Sequence, residues 1–209
     1  MEILYKDNDI VVCIKPRGLL SAKDSSGNAN MQDVLAAELN IGEVYPIHRL
    51  DKDVSGVMVY ALNKNAAAKL SADVHDKERF EKVYYAVISG VLNEQNGVLE
   101  DLLYKDTKRS KSFVVSKMRK GVKPAKLEYE VLSEADGFWL VKILLHTGRT
   151  HQIRVQFASR KLSLVGDRKY GGTKSEKGIA LRSVSLGFYH PTTNEKLFFE
   201  RIPTIEEMI

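Results

Sequence analysis

The 209-residue chain reads as an α+β protein built on a mixed, mainly antiparallel sheet with a few flanking helices. Two observations carry that reading. From residue 82 onward, segments rich in β-branched and aromatic residues follow one another closely, separated by turn signals such as Asp136-Gly137 and His190-Pro191. Apolar residues take up helical spacing in only a few places, without the regular strand–helix alternation that builds parallel βαβ units. The length lies slightly above the usual single-domain range but within it, so one domain over residues 1–209 is expected.

The elements follow in order. Residues 31–39 carry Met31, Val34, Leu35 and Leu39 at helical spacing, with Asn30 placed to cap the first turn. Residues 46–47 and 57–61 read as strands. A second helix is expected over 64–76 behind Asn63, burying Ala67, Leu70 and Val74. Strands are expected over 82–91, 125–132, 138–146, 179–188 and 196–200, and a short strand with basic flanks over 110–116. Thr147-Gly148-Arg149-Thr150 reads as a turn, with Thr147 or Thr150 available to cap a helix that carries Ile153, Phe157 and Ala158 inward. Residues 204–208 form a last helical turn, and no repeat, low-complexity tract or long linker interrupts the pattern.

Composition narrows the classes. No run approaches the ~18 apolar residues of a membrane helix, and MEILYKDNDI has the character of neither a secretory signal nor a transit peptide, so a cytoplasmic location is the expectation. The single Cys13, flanked by Val11, Val12 and Ile14, suits a small buried hydrophobe better than a nucleophile. His48, His75 and His190 show no metal-ligand spacing, and no metal is expected. Charge is unevenly spread: residues 105–126 hold nine basic side chains against the single acid Asp106, a net +8 in a chain whose total is +5. Such segregation suits a polyanionic partner, because clustered Lys and Arg displace counterions from a phosphate backbone. Lys117, Arg119, Lys120 and Lys123 are the candidate phosphate contacts.

The most informative stretch is HRLDKDVSG, residues 48–56, which sets Asp51 among basic residues just before a Ser-Gly turn signal, between two predicted strands. On extended chain Arg49 and Asp51 share a face. A nearby cation keeps a carboxylate ionised, which suits a nucleophile or base and not a general acid. Taken alone, an aspartate among basic residues is most simply a loop ion pair. Three further segments change that balance.

HRLDKDVSG resembles the catalytic motif of the RluA-type RNA pseudouridine synthases. In the same order, residues 9–19 (DIVVCIKPRGL) resemble the family's opening strand and Lys-Pro-x-Gly turn, residues 82–90 (KVYYAVISG) its Lys-x-Tyr-x-Ala strand, and residues 147–155 (TGRTHQIRV) its Thr-Gly-Arg-x-His-Gln-x-Arg segment. The resemblance implies the pseudouridine synthase fold, with an active-site cleft across a mixed sheet, and a reaction that breaks the N1–C1′ bond of uridine, turns the base and rejoins it through C5. It implies a catalytic set of Asp51, Tyr84 and Arg154: Asp51 acting at C1′ or on the C2′ proton, Tyr84 packing on the flipped uracil, and Arg154 pairing with Asp51 to orient it and keep it anionic. Arg49 would occupy the space the flipped base leaves in the stack. Structured RNA, rRNA or tRNA, is the implied partner, with no cofactor, no obligatory protein partner and a monomer as the expectation. The catalytic domain is expected without the RNA-binding S4 module that precedes many relatives.

Strand alternation assigns Tyr85 to the face opposite Tyr84. His151 lies at i, i+3 from Arg154 and reads as a structural hydrogen-bonding histidine, as does His48. Val54 stands where the family usually has Thr, Gln156 where His is common, and Leu181-Arg182-Ser183 where Leu-His-Ala is frequent. Two other readings compete: a catalytically silent RNA-binding protein of the same fold, and a hydrolase that uses Asp51 with His48 or His151 as its base.

Overall fold

The computed structural model describes residues 1–25 and 27–209. In chain order the elements are β1 (Ile3–Lys6), β2 (Ile10–Lys15), α1 (Met31–Leu39), β3 (Tyr45–Pro46), β4 (Ser55–Ala61), α2 (Lys64–Asp73), β5 (Phe80–Ser89), β6 (Asn96–Asp106), β7 (Lys111–Val115), β8 (Val122–Ala135), β9 (Phe138–Leu145), α3 (Gln152–Ala158), a 3₁₀ turn Arg168–Tyr170, β10 (Leu181–Tyr189), β11 (Lys196–Glu200) and α4 (Ile205–Met208). They form two compact units, Met1–Lys82 with Ser183–Ile202, and Val83–Arg182 with Pro203–Ile209, and the boundary falls inside β5 and β10.

In the first unit the strand order is β1-β2-β4-β10, with β3 paired to β4 and β11 to β10. β4 is buried along its whole length, and β2 at every position except Ile14. Their alternation turns Ile10, Val12, Val57 and Val59 toward one core, where Leu70 of α2 and Phe80 and Phe188 join them. The Phe80 and Phe188 rings stack at 5.5 Å between centroids, an arrangement worth ~0.5–1.5 kcal/mol beyond the buried area.

The predicted cap Asn30 forms, accepting a hydrogen bond from the Asp33 amide, and Asn63 likewise caps α2 by accepting from the Ala66 amide. Helix α1 buries Met31 and Leu35 and leaves Val34 exposed. Helix α2 stops at Asp73, three residues before its expected end, and buries Ala66 in place of Ala67. The stop has a local cause. Residues 75–79 are all polar, and the Asp76 carboxylate accepts from the Glu78 amide at 2.9 Å, turning the chain.

In the second unit the order is β5-β9-β8-β6-β7, antiparallel at each step. β6 is not anticipated from sequence. Only Leu99 and Leu103 are buried along it, a spacing of four that hides the strand period among Glu100, Asp101, Lys105 and Asp106. The four-residue β1, half-buried over Ile3–Tyr5, is too short to show a period. Neither Thr147 nor Thr150 caps α3: His151 stands at its N-cap in the left-handed region (φ 55°) with no side-chain cap bond. Thr147 Oγ1 donates instead to Gln152 Oε1 at 2.7 Å and accepts from the Lys126 amide. The expected helical turn at 204–208 forms as α4, capped at its N-terminus by Thr204 in a capping box with Glu207, and buries Met208 with Val87, Val165 and Ala180.

Gly56, the second residue of β4, has φ 129°, and a Cβ there would lie 2.0 Å from the Ser183 carbonyl oxygen. Gly56→Ala therefore combines strained backbone with a main-chain clash and should cost about 3 kcal/mol or more of stability. Urea denaturation monitored by circular dichroism reads this directly; a loss below about 1 kcal/mol would mean that the two strands separate easily.

Candidate active site

In the first unit, Asp51 sits in a turn closed by a hydrogen bond from the Val54 amide to the Asp51 carbonyl at 3.0 Å. Leu50 and Val54 point into the core, Asp51 is half-buried, and Arg49, Lys52 and Asp53 are exposed. Arg49 and Asp51 thus avoid the buried side taken by Leu50. The residue that stands in place of the family's usual threonine, Val54, is an apolar plug, 2% exposed.

The main chain on both sides of Asp51 is clamped. Before it, the Ser21 hydroxyl donates to the Leu50 carbonyl and accepts from the Leu50 amide, both at 2.9 Å. The Tyr60 hydroxyl in turn donates to the Ser21 carbonyl. After it, the Lys52 carbonyl accepts from the Gly18 amide at 2.9 Å and from Lys15 Nζ at 3.2 Å. Lys15 is fully buried, and its ammonium also donates to the carbonyls of Pro16 and Leu19 at 2.9 and 2.7 Å. Burial lowers its pKa to about 8, opposed by the negative charges of Asp53 and Asp51. A lysine at the end of an apolar strand is the sequence signal for this clamp; the Ser21 bonds leave none.

His48 is structural. Its Nε2 accepts from the Val59 amide at 3.3 Å, its ring meets Phe80 edge-on at 5.7 Å, and burial, aided by the nearby Lys82 charge, pushes its pKa down to about 3. An imidazole committed to a backbone amide cannot also serve Asp51 as a hydrolytic base. Cys13 is buried, and burial pushes its thiol up to about 12, far from a reactive thiolate.

In the second unit, β5 turns Tyr84 and Tyr85 to opposite faces: Tyr84 is 5% exposed, whereas Tyr85 is half-buried against the cluster of Val87, Val165, Ala180 and Met208. Arg154 projects from α3 and is 4% exposed. Its Nε and Nη2 donate to the two carboxylate oxygens of Asp167 at 2.7 and 2.8 Å, and its Cζ lies 5.2 Å from the centroid of the Tyr170 ring. Nothing in the sequence pattern singles out Asp167, which lies thirteen positions away in a glycine-punctuated loop. His151 and Arg154 do share a face, and Tyr170 is what they share: His151 Nδ1 lies 2.9 Å from the Tyr170 hydroxyl. That hydroxyl also accepts from the Ser112 amide at 2.8 Å. Gln156 is fully buried and ties α3 to β6, donating to the Leu99 carbonyl and the Asp101 carboxylate.

The basic segment occupies β6, β7, β8 and their connections. Lys117, Arg119 and Lys120 lie on the exposed β7–β8 connection, and Lys123 is exposed near the start of β8. Arg119 stacks on Tyr104 at 5.2 Å. Among the described residues, two of the nine basic residues are ion-paired: Lys126 with Glu100 at 2.7 Å and Arg109 with Asp106 at 3.8 Å. Among the described residues no group of three or more His, Cys, Asp or Glu could hold a metal ion, and no helix is long and apolar enough to cross a membrane.

Comparison with known proteins adds independent findings. The sequence model of the RNA pseudouridylate synthase family matches residues 9–159. An uncharacterized RNA pseudouridine synthase of Aquifex aeolicus is 36% identical over 96% of the chain, and one of Bacillus subtilis is 34% identical over all of it; the chain covers 68% and 70% of those proteins. Ribosomal large subunit pseudouridine synthase D of Borreliella burgdorferi is 32% identical, with 65% of its length covered. Among solved structures, human RNA pseudouridylate synthase domain containing 4 superposes with a TM-score of 0.79 at 23% identity, covering 99% of this chain and 90% of that one, which supports the fold. With that fold, a family match over most of its length and relatives above 30% identity, the chain belongs to the RNA pseudouridylate synthase family, whose members are isomerases acting on RNA.

Proposed function

We propose that this protein isomerises a specific uridine to pseudouridine in structured ribosomal RNA, with Asp51 as the catalytic carboxylate. The observation that carries the reading is the Asp51 turn, held by Ser21 on one side and by Lys15 and Gly18 on the other. Pinned backbone with a half-buried carboxylate is what a group acting at a single sugar carbon requires, because misplacement by 1 Å can cost about 10²-fold in rate. The names of relatives in Borreliella burgdorferi and Haemophilus influenzae refer to the large ribosomal subunit and support rRNA over tRNA.

The remaining roles follow from the chemistry. A uridine within a helix must be extruded to meet Asp51, at a cost of a few kcal/mol. Arg49, exposed beside Asp51, fills the vacated stack. Tyr84 packs on the extruded base, and base–aromatic stacking contributes ~1–3 kcal/mol toward holding it. Arg154, with two of its nitrogens fixed on Asp167, orients Asp51 and keeps it anionic. The atoms of the substrate are only rearranged, so no redox partner or nucleotide enters. Lys117, Arg119, Lys120 and Lys123 hold phosphates along the RNA.

Mapping pseudouridine in unmodified large-subunit rRNA and in tRNA after incubation with the purified protein tests the reading and its substrate together. Asp51→Asn keeps the shape and loses both nucleophilicity and basicity, so isomerisation should vanish while melting temperature and RNA affinity stay near wild type. Turnover by the mutant within tenfold of wild type would sink the assignment.

Tyr84→Phe should retain stacking and lose only what the hydroxyl supplies, whereas Tyr84→Ala should lose both. A larger defect in Tyr85→Ala than in Tyr84→Ala, at matched stability, would reverse the two faces of β5.

Replacing Lys117, Arg119, Lys120 and Lys123 by Gln should weaken binding to all RNAs alike, because phosphate contacts carry no direct sequence information. For every single-strand phosphate that these side chains no longer neutralise, the slope of log affinity against log salt should fall by about 0.7, with the chemical step preserved at saturating RNA. An unchanged slope over a salt series would reduce the segment to a solvated face.

A further inference from the structure

The basic segment holds its cations in different settings. Lys117, Arg119 and Lys120 ride on an exposed connection, whereas Lys111 opens β7 over two aromatic rings. Its Nζ lies 4.8 Å from the centroid of Tyr170 and 5.8 Å from that of Phe113. The acid opposite Lys111 in the β6–β7 register is Asp106, and that carboxylate is engaged by Arg109, through its amide at 3.0 Å and its guanidinium at 3.8 Å. The Lys111 ammonium makes no ion pair among the described residues.

Tyr170 is the ring that Arg154 also faces, at 5.2 Å, so the Lys111 ammonium and the Arg154 guanidinium carbon are at most 10 Å apart. The turn end of the β6–β7 hairpin is bolted to the elements around Arg154. The Ser112 amide donates to the Tyr170 hydroxyl at 2.8 Å, the Ser112 hydroxyl to the Thr150 carbonyl at 2.6 Å, and Lys169 Nζ to the Ser110 carbonyl at 3.0 Å. Tyr170 itself is 9% exposed and is held at its hydroxyl from two sides.

We propose that Lys111 is a phosphate-gripping residue at the target nucleotide, taking the phosphodiester of that nucleotide or of its immediate neighbour, with the Tyr170 ring fixing the distance from the grip to Arg154. The inference rests on the RNA-modifying reading above and adds to it. An ammonium is a compact point charge suited to one phosphate oxygen. The rings that its ammonium faces limit its rotamers, so less side-chain freedom remains to be lost when RNA binds. The cations of the exposed connection supply affinity. Lys111 supplies position, because a phosphate held there leaves its nucleotide within reach of Arg154.

Lys111→Met leaves an aliphatic stem over the rings without the charge, and Lys111→Arg restores a cation. In binding to a 20-nucleotide oligouridylate across a sodium chloride series, Lys111→Met should lower the salt slope by about 0.7. On RNA carrying the mapped uridine, single turnover at saturating RNA should slow about tenfold in Lys111→Met, as expected for loss of positioning. Lys111→Arg should recover most of that rate. A neutral methylphosphonate beside the target should slow the wild type to the rate of Lys111→Met and slow that variant no further. An unchanged salt slope overturns the phosphate contact, and a saturating rate equal to wild type overturns its placement at the target. Should the wild type convert no RNA, the isomerase reading falls, while the oligouridylate slope still decides whether Lys111 holds a phosphate.

Discussion

The geometry of the Asp51 turn depends on one buried ammonium. Lys15 closes β2 with no exposed surface and gathers three carbonyls, those of Pro16, Leu19 and Lys52, around its Nζ. A lone buried charge costs several kcal/mol, and three charge-assisted hydrogen bonds are what make such a position tenable. Burial draws its pKa down to about 8 while Asp53 and Asp51 oppose the shift, so the group stays protonated at neutral pH. An apolar residue of similar length would fill the same space but leave three carbonyls without a donor, each a desolvated acceptor. The strand, the Pro16–Leu19 loop and the residue after Asp51 are therefore held by one side chain. Ser21, bonded to both the amide and the carbonyl of Leu50, completes the clamp from the other side.

The second unit applies the same logic to a guanidinium. The Arg154–Asp167 pair is nearly inaccessible, and burial of such a pair is a poor source of stability because desolvation consumes most of the Coulomb gain. What it supplies is direction: a bidentate fork admits one orientation of the arginine plane. Tyr170 lies against that plane, and its hydroxyl joins the start of β7 to the N-terminus of α3. Ser112, one residue after Lys111, makes two of the bonds that lock the hairpin there. Within the +8 segment Lys126 and Arg109 pair with acids, Lys117, Arg119 and Lys120 ride on an exposed connection, and Lys111 lies over the ring that Arg154 also faces.

The departures from the family pattern acquire physical reasons. Val54 exchanges a hydroxyl for apolar packing in the core. Gln156 uses its amide donor to tie α3 to the Leu99 carbonyl and Asp101, a bridge its planar amide makes without a titratable group. Arg182 donates to the Glu207 carbonyl at 2.6 Å, next to the buried Met208. All three are structural positions, and none displaces a member of the proposed catalytic set.

The sequence by itself determined what short-range physics governs. The Asn30 cap, the helix behind Asn63, the helical turn at 204–208, the strand alternation that separates Tyr84 from Tyr85, and the burial of Cys13 each depend on neighbours a few residues away. The fold class was legible for the same reason, since turn signals and periodicity are local. The order of residues around Asp51 was legible because a motif is a one-dimensional pattern. Partner choice was not. That Arg154 takes Asp167, that His151 enters the left-handed region in place of a threonine cap, that Lys15 turns its charge inward and that β6 forms on so weak a pattern were decided by segments meeting beyond the reach of any local pattern. Which donor meets which acceptor depends on backbone positions that exist only once the sheet has closed, so tertiary structure alone could decide it.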